Sequence, residues 1–298
     1  MSGRKFKRVA VLMGGPSAER EVSLKSGNAV AAGLRRAGYE VTAVDVEGRA
    51  LSIPEGTEAV FIALHGEFGE DGEVQAQLDR LGMPYTGSGA IASRRAFDKA
   101  MSKLVFSRKG IPTPDYQIVR NGEKPSLPLP VVVKPACQGS SIGVHRVMAE
   151  PEWDGAICDA FRYGKEVVVE AYIPGRELTV GIVGDDVLPV IEIRAPDGDY
   201  DYRAKYTKGV TEYLVPAPLD EDTARACQST AMKTYAALGC RGMGRVDIRA
   251  RDDGRIFVLE LNSIPGFTET SLLPKAAASA GIDFPTLCDR IMGMAMVG

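Results

Sequence analysis

The sequence is short of the features that would send it to a membrane, a nucleic acid or a disulfide scaffold. No stretch of its 298 residues approaches the roughly 20 consecutive apolar residues of a membrane-spanning helix, so no membrane partner is expected. The opening MSGRKFKRVAVLMGG sets basic residues ahead of an apolar run, as a leader peptide does. That run is short and ends in Gly14-Gly15-Pro16, so it reads as a first β-strand. Dense Lys/Arg runs are also missing, and 36 basic against 39 acidic side chains leave a net charge of −3. No nucleic-acid partner is therefore expected. The five cysteines, Cys137, Cys158, Cys227, Cys240 and Cys288, are odd in number, scattered and without CxxC spacing. This argues against a disulfide framework or zinc site and for reduced thiols in a cytoplasmic protein. Internal repeats and low-complexity tracts are absent.

What remains is an ordinary globular composition, 45% hydrophobic and 25% charged, long enough for roughly two domains. RVAVLMGG reads as a buried strand, and SLKSGNAVAAGLRRAG as a helix with Ser23 as N-cap and Gly38 as its stop. YEVTAVDV and AVFIALHG follow as strands. Strands alternating with helices predict a small doubly wound parallel sheet whose ligand edge lies in the loops GGPSAERE and HGEFGEDGE. From about residue 94 the character changes. RRAFDKAMSKLVFSRKG reads as one basic helix and IPTPDYQIV as an edge strand. VVVKPACQGSSIGVHRV reads as a hairpin with a Gly/Ser tip, and EVVVEAYIPGRELTVGIV as two strands meeting at Pro174-Gly175. The polar, tyrosine-rich stretch 195–219 has little periodicity and is expected to be a lid. DEDTARACQSTAMKTYAALG is a helix, and FPTLCDRIMGMAMVG an amphipathic terminal helix.

Between the last two helical regions lies a polar face on an apolar hairpin. In GMGRVDIRARDDGRIFVLELN, Arg245 and Asp247 alternate with Val246 and Ile248, while Glu260 and Asn262 alternate with Phe257, Leu259 and Leu261. Asp253-Gly254 is a two-residue turn signal. That register opposes Asp252 to Arg255, Asp247 to Glu260 and Arg245 to Asn262; a three-residue loop would set Asp247 against Leu259 and spoil the alternation. Like charges directly opposed cost roughly 0.2–1 kcal/mol. A cation between them explains the arrangement, and two carboxylates with an amide suit Mg²⁺ or Mn²⁺. The plain alternative is a solvated face on which Arg245 neutralises the acids.

Lys134 ends an apolar strand and is followed by Gln-Gly-Ser-Ser-Ile-Gly. Glycines let backbone N–H groups approach phosphate oxygens, and the lysine adds a point charge. The pattern is neither a P-loop nor a dinucleotide fingerprint. A Gly/Ser hairpin tip is often only a turn; with a separate metal face, a triphosphate held between two domains explains both.

GGPSAEREVSLKSG, ALHGEFGEDGEVQ, PYTGSG, DKAMSK, VVVKPACQGSSIGV, YDYRAKY, GMGRVDI and LELNSIPGFTETSLLP together resemble the D-alanine–D-alanine ligase family of the ATP-grasp superfamily, in order along nearly the whole chain. The resemblance implies an α/β chain, α+β in its nucleotide-binding part, with the ATP-grasp fold. Three domains are implied: 1–93, N-terminal α/β with the first D-alanine loops; 94–178, the central ATP-grasp domain; and 179–298, the C-terminal domain with lid, metal hairpin and second subsite. It further implies a cytoplasmic homodimer that joins two D-alanines with ATP for peptidoglycan precursors, using two Mg²⁺ or Mn²⁺ ions. Carried over by motif, Lys99, Lys134 and Lys205 would contact the nucleotide, with Ser140 and Ser141 in the loop over its phosphates. Glu170 would read adenine by side chain, Ala171 and Ile173 by backbone, and Glu177 the ribose. Asp247, Glu260 and Asn262 would ligate metal. Glu19 and His65 would bind the first D-alanine, Ser271 and Leu272 the second. Ser140 and Tyr206 would form a hydrogen-bonded set with Glu19, and Arg245 with the Gly266 N–H would stabilise an oxyanion. Ala171 and Thr270 depart from residues common in the family, lysine and histidine.

On residue type alone several of these have blander readings. His65 at a strand end reads as a structural loop residue, and His145 as structural. Lys99 lies on a helix whose basic residues would ordinarily be solvated, and the YDYRAKY aromatics could simply pack a lid. Two other functions compete: an ATP-grasp carboxylate–amine ligase of different substrate choice, and a non-catalytic nucleotide sensor, which would not need the full Arg245, Asp247, Glu260 and Asn262 set. A Rossmann dehydrogenase is disfavoured because GGPSAE lacks the glycine spacing that seats a pyrophosphate.

Overall fold

A computed structural model of the chain describes residues 5–120, 123, 125–195 and 210–298. Its first layer is a parallel sheet of three strands, β1 (Arg8–Gly14), β2 (Glu40–Val46) and β3 (Ala59–Ile62), in the order β2-β1-β3. Helix α1 (Arg20–Arg36) packs on β1 and β2. The residues of β1 beyond Arg8 are all buried, which is why the strand reads as an unbroken apolar run rather than an alternation.

α1 begins at Arg20, three residues before the expected cap. Ser17 accepts the Glu19 N–H at 3.2 Å and its carbonyl accepts that of Arg20, so the turn at Ser17 starts the helix. Ser23 is instead buried within the first turns and donates to the Ala63 carbonyl at 2.7 Å, fixing α1 to the end of β3. Gly38 does mark the stop, at φ +91°. Helix α2 (Glu73–Arg80) completes this part.

The expected single basic helix is two, α3 (Ala90–Phe97) and α4 (Lys99–Lys109). Asp98 takes an extended conformation between them and caps α4 by accepting the Met101 N–H at 3.1 Å. An N-cap aspartate competes with helix continuation, and here it wins.

The next sheet is antiparallel, β4 (Tyr116–Arg120), β5 (Val131–Pro135), β6 (His145–Val147) and β7 (Glu166–Ala171), ordered β4-β7-β5-β6. Helix α5 (Trp153–Phe161) shares a core with Val167 and Val169, whereas Val168 packs with Ala100 of α4. Both faces of β7 are covered, so Val167, Val168, Val169 and Glu170 are all buried. Alternation then sends Glu170 to the face shared with Val168, Val132 and Lys134.

β7 and β8 (Arg176–Val183), read as meeting at Pro174-Gly175, are in different sheets. β8 lies in a six-stranded sheet with β9 (Asp186–Val187), β10 (Ile191–Arg194), β11 (Glu212–Leu214), β12 (Met243–Ala250) and β13 (Ile256–Asn262), covered by helix α6 (Glu221–Leu238). Most of the expected lid, including Lys205 and Tyr206, lies outside the described residues; its end forms β11. Helices α7 (Leu272–Ser279) and α8 (Phe284–Gly293) return to the first sheet, where Leu273, Leu287 and Ile291 share its core. No helix among the described residues is long and apolar enough to cross a membrane.

The β12–β13 hairpin reaches the expected pairing by another route. Its tip is a three-residue loop, Asp252-Asp253-Gly254, closed by the Arg251 N–H to the Arg255 carbonyl at 2.9 Å, with Gly254 at φ +82°. That loop opposes Ile248 to Val258, and a bulge then absorbs Leu259. Beyond it Asp247 faces Glu260 and Arg245 faces Asn262, as the sequence predicted. The bulge breaks the expected alternation: Val258 and Leu261 are buried, while Leu259 lines the neighbouring cleft.

Candidate active site

A cavity of about 530 Å³ opens between the four-stranded sheet and the β12–β13 hairpin. One wall carries Lys134, Glu170 and the hinge Ala171–Ile173; the other carries Asp247, Arg249, Leu259 and Glu260; Gln138, Gly139 and Ser141 border it, and Lys99 also lines it. Among the expected nucleotide residues, Lys99, Lys134, Ser141, Glu170, Ala171, Ile173 and Glu177 all line this cavity.

Lys99 is buried rather than solvated. It stands at the start of α4, beside the end of β5, and its Nζ reaches the Gln138 carbonyl at 2.5 Å and Glu260 at 3.3 Å. Glu170 is 1% exposed, with two ammonium groups 3.0 Å from its Oε1, those of Lys134 and Lys103. Burial alone would raise the Glu170 carboxyl, but the two lysines outweigh it and hold its pKa below the ordinary value. Arg249 ties the hinge to the hairpin, donating from Nε to the Ile173 carbonyl at 3.1 Å and pairing with Glu177 at 3.1 Å. The Tyr172 ring centroid is 5.4 Å from the Arg146 guanidinium and 5.9 Å from that of Arg249.

On the hairpin face Asp247 is the hub. Arg245 forks onto it with bonds of 2.9 and 2.8 Å, Thr179 donates to it at 2.6 Å and Asn262 at 3.0 Å. Thr179 stands opposite Asp247 on β8, so the pairing of β12 with β8 places the hydroxyl. The sequence missed Thr179, Arg249, Lys103 and Leu259, because each is positioned by a partner remote in the chain or by the bulge. Among the described residues no three His, Cys, Asp or Glu side chains cluster; the donor set is two carboxylates and an amide. That set matches an oxygen-seeking cation that shares its shell with phosphate.

The expected substrate residues form a continuous path at the other end. Ser140, at φ +52°, donates its hydroxyl hydrogen to Glu19. A Cβ on Gly139 would stand 2.5 Å from Glu19 Oε2, and one on Gly66 2.9 Å away, so bare backbone lets three loops close on one carboxylate. His65 is 4% exposed and held at both ring nitrogens: its Nδ1 is 3.1 Å from the Ile264 carbonyl and its Nε2 2.9 Å from Ser26 Oγ. The Ile264 carbonyl can only accept, so Nδ1 carries a proton, and the Ser26 hydroxyl facing Nε2 also accepts the Phe267 N–H at 3.1 Å. Next to Phe267, Gly266 neighbours Ser271, whose hydroxyl lies 3.5 Å from where a Cβ would be, an ordinary contact distance. Ser271 caps α7 by position, and its Oγ accepts the Thr268 N–H at 3.0 Å. The Leu272 side chain is buried in the core, leaving its backbone N–H as the polar group at the start of α7. His145 pairs with Asp159 at 2.8 Å and lines the cavity edge.

The model for the D-ala D-ala ligase C-terminus matches residues 104–293, and that for the N-terminus matches residues 47–88. The chain belongs to the D-alanine–D-alanine ligase family. It is 48% identical over 286 residues to the D-alanine–D-alanine ligase of Methylacidiphilum infernorum, covering 96% of this chain and 94% of that protein. It is 49% identical over 292 residues to the corresponding ligase of Syntrophotalea carbinolica, covering 96% and 95%. The fold matches a Bacillus anthracis D-alanine–D-alanine ligase solved with ATP, with a TM-score of 0.86 at 35% identity, over 97% of this chain and 96% of that one. It also matches the VanG D-Ala:D-Ser ligase of Enterococcus faecalis, with a TM-score of 0.87 at 29% identity, over 97% and 99%. Members of the family thus share this framework while differing in the second substrate their names give.

Proposed function

We propose that this chain joins two D-alanine molecules at the cost of ATP, through a D-alanyl phosphate, for peptidoglycan precursors. The observation that carries this reading is the juxtaposition at Gly139, which lines the cavity on one side and abuts Glu19 on the other. A nucleotide in the cavity would thereby direct its terminal phosphate towards the Glu19–His65 end.

Adenine would lie in the slot between the hinge and Leu259, read by Glu170 and by the backbone of Ala171 and Ile173, with Glu177 on the ribose. Lys99, Lys134, Lys205 and the Ser140-Ser141 loop would take the phosphates. Asp247, Glu260 and Asn262 would hold Mg²⁺ or Mn²⁺, two ions by family analogy, which would supply charge neutralisation to the phosphate oxygens. Such a role needs the Asn262 amide turned, so that oxygen rather than nitrogen faces the metal.

The first D-alanine, bound by Glu19 and His65, would attack the γ-phosphoryl with its carboxylate, forming a carboxyl–phosphate bond as ADP leaves. Positioning and electrostatics dominate such transfers. The amine of the second D-alanine, held by Ser271 and the Leu272 N–H at the start of α7, would then attack the activated carbonyl, and phosphate would leave. Arg245 and the Gly266 N–H would stabilise the tetrahedral oxyanion. Tyr206, with Ser140 and Glu19, would close the site against water. The working assembly is a cytoplasmic homodimer, each chain organised as 1–93, 94–178 and 179–298, with neither membrane nor nucleic acid as partner.

The test is phosphate release from ATP with D-alanine as sole amino acid, followed by the mass of the product. A dipeptide mass supports the reading. Turnover only with another amine or a hydroxy acid such as D-lactate would assign the chain to a different carboxylate ligase, and ATP binding without turnover to a sensor.

A further inference from the structure

Lys103 is completely buried, stands one helical turn from Lys99 on α4, and does not line the cavity. An unpaired ammonium in such a place costs several kcal/mol. Its surroundings are specific: Glu170 Oε1 on β7 at 3.0 Å, Thr113 Oγ1 at 2.5 Å and the Val258 carbonyl of β13 at 3.4 Å. Thr113 itself donates to the Val258 carbonyl at 2.7 Å. One ammonium therefore joins the acid at the head of the nucleotide cavity to the strand that carries Glu260.

Glu170 has a second cation in Lys134, but the two lysines are not equivalent. Lys134 lines the cavity, where an incoming phosphate competes for it. Lys103 does not line the cavity, so its ion pair with Glu170 lies out of reach of an incoming phosphate. Both ammonium groups meet the same oxygen, Oε1. Neither of these contacts is to Oε2, and Glu170 lines the cavity.

We propose that Lys103 is a positioning residue for base selection, holding Glu170 ionised and oriented once the phosphates have drawn Lys134 away. This rests on the reading of Glu170 as the adenine acceptor. Selection would be for a purine with an amine at the position where inosine carries an oxygen, since a carboxylate accepts from the first and repels the second. On the same helix face Lys99 holds Glu260 and Lys103 holds Glu170, so α4 sets the spacing between the base end and the metal end of the cavity.

The experiment compares ATP with ITP in the full chain for the unaltered protein, Lys103→Met and Glu170→Gln. Lys103→Met is expected to raise the ATP KM about tenfold or more, the scale of one charge-assisted hydrogen bond. It should narrow the ATP-over-ITP preference in kcat/KM by a similar factor and leave kcat with saturating ATP within a few-fold. A residue that merely fills the core would lower thermal stability and leave the preference untouched, which overturns the proposal. If Glu170→Gln also leaves the preference untouched, it is the adenine reading of Glu170 that fails. Should Lys103→Met not fold, Lys103→Gln, polar but uncharged, carries the test in its place: a narrowed ATP-over-ITP preference supports the proposal and an unchanged one overturns it.

Discussion

Ser140, in the glycine-rich loop after β5, donates a hydrogen bond to Glu19, which precedes α1 in the first layer of the fold. In the proposed function this bond would couple the phosphate loop to the first amino-acid subsite. Ser140→Ala removes a hydrogen bond to a carboxylate, roughly 1.5–3 kcal/mol where the acid is desolvated. The expected result is a D-alanine KM raised about tenfold or more, measured by steady-state kinetics. An unchanged D-alanine KM would detach Glu19 from the substrate.

Thr179 does not itself line the cavity, yet its hydroxyl fixes Asp247 Oδ1. Thr179→Val keeps the shape and deletes the donor. Outer-shell losses of this kind lower metal affinity or activity about 10–100-fold. A Mg²⁺ titration of activity should show the half-saturating concentration rising by such a factor, and an unchanged titration would argue that Asp247 is no ligand.

Arg245 forks onto Asp247 in this structure, which is the neutralising role the sequence left open beside the oxyanion role. The two differ in kinetics. If Arg245 serves the oxyanion, Arg245→Ala lowers kcat about 10²–10³-fold, the scale of one lost donor, with a much smaller change in ATP affinity. Equal losses in both would leave it with the acids alone.

Lys103 makes stability depend on pH. Its folded pKa of about 8 lies below its ordinary value of 10.5, because burial disfavours the charge more than Glu170 favours it. Between those values the unfolded chain holds a proton that the folded chain has released, so the cost of burying this charge is relieved as pH rises from 8 towards 10.5. Urea unfolding at pH 7.5 and 9.5 should show the unaltered protein gaining stability relative to Lys103→Met at the higher pH. A difference independent of pH would mean that Lys103 titrates near its ordinary value.

The sequence made the motif-bearing loops legible because their chemistry is local: glycines that admit close approach, a lysine at a strand end, acids alternating on a strand. The pairing of Asp247 with Glu260 was also legible, although by an assumption that failed twice in compensating ways. The turn has one more loop residue than Asp253-Gly254 suggested, and the bulge at Leu259 restores the register. Burial of Glu170 was hidden in a strand covered on both faces, where no alternation betrays which side chain meets water. Lys103 looked like one more base on a basic helix. Only the packing of α4 on β7, set by Ala100 and Val168, turns that face inward. The break at Asp98, which starts α4 at Lys99, is written in an N-cap aspartate that competes with an otherwise continuous helical pattern.

The account depends on a nucleotide lying along the cavity with its phosphates at the hairpin face, and a crystal structure with ADP and Mg²⁺ tests it directly. It predicts the base against Glu170 and the hinge, and oxygens of Asp247 or Glu260 about 2.0–2.1 Å from the metal, the usual distance for Mg²⁺. Nucleotide bound away from the hinge, or magnesium with neither carboxylate in its coordination shell, would contradict it.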